Sequence, residues 1–210
     1  MSTFFEKTNR FLSHTAGAGP RLLVVGAALA LLLTYVVPLW NLTMFAPQYP
    51  DGLTMDIYSH RLLGGNNNQD VKEINILNHY IGMRDLTDED FTEFKWMPFV
   101  IGGLILVVLR AAVYGTVGSL VDVTVLFTYF GLFSLWSFAY KLYVYGHNLA
   151  PTAAVKVAPF MPPVFGFKQI ANFQVYSYPQ AGTYAMAAAF LLLSGALVLA
   201  WRDCRRVAAA

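Results

Sequence analysis

The chain has 210 residues, 57% of them hydrophobic and only 12% charged, where an ordinary soluble domain is roughly a quarter charged. That composition excludes water as the main solvent; a net charge of +2 says nothing of nucleic acid, and no basic tract or aromatic-basic interleaving argues for such a partner, so none is expected. It predicts an all-α membrane protein of about four transmembrane helices, each needing roughly 20 apolar residues, in a single membrane domain whose two long extracytoplasmic loops form a small cap.

The first apolar run, residues 21–40, follows a polar head carrying Lys7, Arg10 and His14. No small-x-small cleavage site follows it, so it reads as an uncleaved anchor with its N-terminus inside, ending at the interface residues Pro38 and Trp40. Residues 41–95 form the first outer loop and hold most of the acidic residues. Pro47, Pro50, Asp51-Gly52 and the tract Gly64 to Asn68 are turn signals, and Asp70 to Met83 has helical character. Two spans, 96–114 and 120–145, are joined by a tight hairpin at Gly115 to Ser119. The second outer loop, 146–181, is rich in proline, and a last span covers 182–201. Lys7, Arg10, Arg21, Arg110, Arg202, Arg205 and Arg206 then fall in short stretches on one side, which places both termini in the cytoplasm.

The residues that carry chemistry lie in the outer loops. In Ile74 to Met83, His79 and Met83 are four apart and share one face of a helix. Imidazole with thioether is a copper pairing, because soft sulfur selects Cu(I) and imidazole serves copper in either oxidation state. This topology also puts His60, His147, Met44, Met55 and Met161 on the same side. No serine stands in a nucleophile-elbow context, and the single cysteine, Cys204, sits in the cytoplasmic basic tail. The acidic run Asp85 to Glu93 reads as a solvated face or helix start, and Lys141 as a snorkelling residue at the outer end of its span. The spans themselves are nearly free of charge, which argues against a transporter or proton relay.

Four stretches, Ala46 to Leu53, Leu77 to Met83, Tyr145 to Leu149 and Pro162 to Phe173, together resemble a family of small bacterial integral membrane proteins encoded beside nitrous-oxide-reductase maturation and copper-delivery genes. The resemblance covers both loops in order and implies extracytoplasmic copper handling for a metalloenzyme. His79, Met83 and His147 fall inside the shared motifs and Met161 just before one, while Ala150 stands where an acidic residue is expected. The resulting expectation is a non-enzymatic inner-membrane protein, multi-pass, with copper as its cofactor. Its ligands are His79, Met83, His147 and Met161, with His60 and Met55 as further members of the outer set. Its partners are the lipid bilayer and other membrane or periplasmic proteins. The alternative is a structural accessory subunit of a larger respiratory or photosynthetic complex, bracing its neighbours without metal.

Overall fold

The structure, a computed structural model, describes residues 3–170 and 172–209. In chain order it forms α1 (Phe4–Leu12), α2 (Ala18–Leu33), β1 (Trp40–Ala46), β2 (Tyr49–Ile57), β3 (Leu62–Gly64), α3 (Gly65–Tyr80) and a 3-10 turn at Asp88–Asp90. Then follow α4 (Glu93–Tyr114), α5 (Val117–His147), β4 (Gly166–Ile170), β5 (Phe173–Pro179) and α6 (Ala181–Ala209). The fold is therefore mixed α/β, with a five-stranded antiparallel sheet, and the all-α expectation is wrong. The missed signal is a period of two in short runs: Leu42, Met44 and Ala46 alternate with Asn41, Thr43 and Phe45, and Leu53, Met55 and Ile57 alternate with Thr54 and Asp56. Turn residues and acidic side chains around these runs gave them the look of a loop.

The chain divides into two compact units. The first contains Met1–Leu33, Phe99–Leu132 and Tyr184–Ala210. Its helices pack through narrow stripes: Val24, Ala27, Ala28 and Leu31 on α2, Leu104, Ile105 and Val108 on α4, Ala189, Leu193, Ala196 and Ala200 on α6. Small residues line the packed faces, as at Gly26 on α2, where an added Cβ would make an ordinary 3.5 Å contact with the Leu192 side chain of α6. The opposite faces expose large apolar side chains such as Leu22, Leu106, Val113 and Leu191, which a lipid phase covers and water does not. At one end of this unit the α4–α5 hairpin is tied to the segment before α2. Ala16 N donates to Gly115 O at 2.6 Å, Val117 N donates to His14 O at 3.0 Å, and Arg21 donates to Ala16 O and Val113 O. Gly115 has φ +63° and lies against the Arg21 guanidinium, so both its conformation and its lack of a side chain are used.

Among the described residues, three helices are long and apolar enough to cross a membrane: Glu93–Tyr114, Val117–His147 and Ala181–Arg206. The expected spans 96–114, 120–145 and 182–201 fall within them. The expected span 21–40 does not hold as a single helix. Its helix stops at Leu33 after 16 residues, about 24 Å at 1.5 Å per residue, a turn follows, and Trp40 already belongs to β1.

The second unit contains Thr34–Pro98 and Phe133–Thr183. Its sheet has the order β3-β2-β1-β5-β4. The central pairing of β1 with β5, from Trp40 opposite Pro179 to Phe45 opposite Gln174, joins the two segments that lie far apart in sequence. One face, with Leu42, Met44, Leu53, Met55 and Val175, is covered by Val71, Ile74 and Leu77 of α3. The start of α3 is held by an unusual turn in which Asn66, Asn67 and Asn68 all have positive φ. Asparagine tolerates this left-handed region better than any other residue with a side chain save aspartate. Side chains fix the turn: Asn68 Oδ1 accepts from Gly64 N at 2.7 Å, and the buried Asp70 accepts from Thr54 N, Thr54 Oγ1 and Asn66 Nδ2.

Candidate functional site

Helix α3 ends three residues before Met83, so His79 and Met83 do not share a helical face through simple i, i+4 spacing. What brings them together is the way the helix stops. Gly82, at φ +80°, donates from its N to His79 O at 3.1 Å, and Met83 N donates to Asn78 O at 2.8 Å. These nested bonds are the glycine-terminated helix end that turns the chain back on its last turn. The segment after α5 closes over the turn: Ala150 N donates to Gly82 O at 2.8 Å, and a Cβ on Gly82 would meet Ala150 O at 2.9 Å. The result is an open pocket of about 540 Å³ walled by His79, Met83, Arg84, Asp85, Asp90 and Asn148.

A second, inner cavity of about 80 Å³ lies between the sheet's core face, α3 and α5. Met44, Met55 and Met83 line it together with Asn78, Phe91 and Tyr145. Met83 therefore borders both spaces. Asn78 is 2% exposed, and its Nδ2 has no hydrogen-bond partner.

A polar knot flanks the two spaces where α4 begins and α5 ends. Lys141 Nζ donates to Asp90 O at 2.8 Å, stands 3.6 Å from Glu93 Oε2 and lies over the Phe91 ring. Glu93 also accepts from Ser137 Oγ at 2.7 Å, Arg84 pairs with Asp90 at 3.3 Å, and Tyr145 OH donates to Asp85 O at 3.3 Å. Asp88 Oδ1 accepts from Leu62 N at the end of the sheet. The acidic run is thus a set of tethers and not only a solvated face. Its sequence signal is Lys141, the single lysine of a mostly apolar helix whose Asp122 lies at the far end, a cation that needs an anion when largely buried.

Of the other expected ligands, His147, Met161 and His60 line neither space, and Met55 lines only the inner one. His147 is stacked on Tyr143, with its Nδ1–H donating to Tyr143 O at 2.9 Å, an arrangement that leaves Nε2 as the nitrogen able to accept or ligate. Its sequence neighbour Gly146 accepts from Phe160 N at 3.0 Å, and the next residue, Met161, uses its carbonyl to accept from Lys168 Nζ. His60 is exposed beside Tyr58 and Ser59 in the connection between β2 and β3. Met55 is buried in the sheet core and reaches only the inner cavity. Among the described residues, no three or more of the His, Cys, Asp and Glu side chains are grouped so as to hold a metal ion. The sequence places Met44 on the outer side but not among the ligands, and gives Asn78 no role, because both depend on strand register and on the helix-ending turn. No family model, no curated protein and no solved structure matches this chain.

Proposed function

We propose that the chain is a non-enzymatic membrane protein that binds copper at an extracytoplasmic His/Met site and passes it on during the maturation of a metalloenzyme. The observation that carries this reading is the open pocket walled by both His79 and Met83. An imidazole and a thioether suit copper, and neither serves the hard divalent ions that take oxygen ligands. Asp85 and Asp90 line the same pocket and offset the cationic Arg84. Copper bound there would meet a surface wide enough for a partner protein to approach, as transfer requires. The resemblance noted above points the same way.

In this reading the protein lies in a bacterial inner membrane with both termini in the cytoplasm. Helix α2 then crosses together with the apolar residues that follow it, and the sheet-bearing unit faces outward. The test is copper content of the detergent-purified chain after Cu(I) loading, comparing the natural sequence with His79→Ala plus Met83→Ala. Stoichiometric copper that falls in the double variant is expected, and equal copper in both proteins removes His79 and Met83 as the site.

One observation favours a second reading, that of an accessory subunit in a larger complex. On the sheet face opposite the core, Phe45, Tyr176 and Phe167 form a continuous run of ring contacts beside Phe165 and Tyr178. Phe165 is 67% and Phe167 52% exposed, and an aromatic surface of this kind is typical of protein contacts. Absence of copper from both proteins in the same experiment moves the function to this reading.

A further inference from the structure

We propose that the inner cavity is a second Cu(I) station, built from the thioethers of Met44, Met55 and Met83. The choice of ion rests on the copper reading above, but the cavity stands on its own geometry. Leu42 pairs with Met55 and Met44 with Leu53, so Met44 and Met55 are diagonal neighbours on one face of the sheet, about 7–8 Å apart at the backbone and within reach of long side chains. The glycine-terminated end of α3 folds Met83 back over Asn78 and into the same space. Three of the seven methionines of the chain thus line one cavity of about 80 Å³. Methionine often fills gaps in a core, but here the gap has been left open.

The donor set selects the ion. Three neutral thioethers in a mainly apolar wall, whose charged member Lys141 is engaged by Asp90 O and Glu93, bring no negative charge to offset the desolvation of a divalent cation, whereas soft, monovalent Cu(I) is the ion that sulfur of this kind prefers. Asn78 supplies the second sign of an occupant. Its buried Nδ2 has nothing to donate to in this cavity, and a half-turn of the amide would direct the carbonyl dipole toward a cation instead. Because Met83 walls both spaces, it links a surface station with His79 to a buried station made only of sulfur. One thioether exchanging between two partner sets moves the ion inward or outward without a change of oxidation state.

The experiment is an anaerobic Cu(I) titration of the full-length, detergent-purified chain against a competing chromophoric Cu(I) chelator. Expected are two equivalents for the natural sequence, one for Met44→Leu plus Met55→Leu, and one for His79→Ala, with Met83→Leu weakening both. Leucine conserves the volume of methionine, and a readout independent of that pair is copper K-edge X-ray absorption of the singly loaded His79→Ala protein. Coordination dominated by sulfur there, with at most one oxygen from Asn78, supports the station, and nitrogen coordination or a shell without sulfur overturns it. Two equivalents retained by Met44→Leu plus Met55→Leu, or a single equivalent in the natural chain lost only with His79, overturns the inner station while leaving the surface site intact. A single equivalent lost only with Met44 and Met55 supports the inner station and removes the surface site.

Discussion

The two units of this protein are held together in different ways. The helical unit relies on what is missing: the fully buried Ala27, Ala189, Ala196 and Ala200 leave room for its helices to pack, and none of its described residues is a buried charge. The sheet unit relies on what is present. Asp70 anchors a left-handed asparagine turn, Asp88 ties off the sheet, and Lys141 draws together Asp90 and Glu93. Where lipid surrounds the protein, shape alone decides which helices pack. Where water reaches it, polar side chains fix the ends of elements that the hydrophobic core leaves undetermined.

The sharpest break in this contrast should come from Asp70→Ala. It leaves Thr54 N and Asn66 Nδ2 without their buried acceptor, a loss of about 3 kcal/mol for hydrogen bonds to a charged group. Thermal unfolding in detergent should show the sheet unit melting well before the helices, and an unchanged melting temperature would mean that the turn is held by backbone alone. Next comes Ala196→Leu, which overfills a fully buried position on α6 at about 2 kcal/mol. It should destabilise the helical unit while sparing the Cu(I) stoichiometry, and loss of copper in this variant would show that the units are not independent.

The smallest effect belongs to Tyr49, whose OH donates to Glu73. That bond, with some burial and the nearby Glu73 charge, raises the phenol above its ordinary value. A raised folded-state value means that the contribution is fully present below the unfolded phenol's range, about pH 10, and is lost as pH rises through the folded value. Tyr49→Phe should therefore lower stability modestly at neutral pH, where the bond is intact, and flatten the alkaline limb of a stability-versus-pH curve, the two proteins converging at high pH. An unchanged alkaline limb would show that the bond is not kept in solution.

The same contrast explains what could be read from sequence. Long apolar runs announce α4, α5 and α6, because lipid demands length and hydrophobicity that a helix shows residue by residue. The strands were hidden because each face of a seven-residue strand offers only three or four residues, and β1 finds β5 only across most of the chain. His79 and Met83 attracted notice through helical spacing, yet they meet because Gly82 ends the helix. A glycine followed by methionine just after a helical run was the available signal. Asn78 gave none, since an unpartnered amide is visible only in three dimensions.

The pairing of β1 with β5 also sets an order of events during synthesis. Trp40 and Pro179 sit opposite one another although about 140 residues separate them. At roughly 5–20 residues per second, β1 waits on the order of 10 s for its central partner, with only the β2 hairpin to shield one edge. Two long apolar helices, α4 and α5, are made in the meantime, so the sheet closes late, with only α6 still to follow. Any copper held against its core face can be loaded only after β5 has been made.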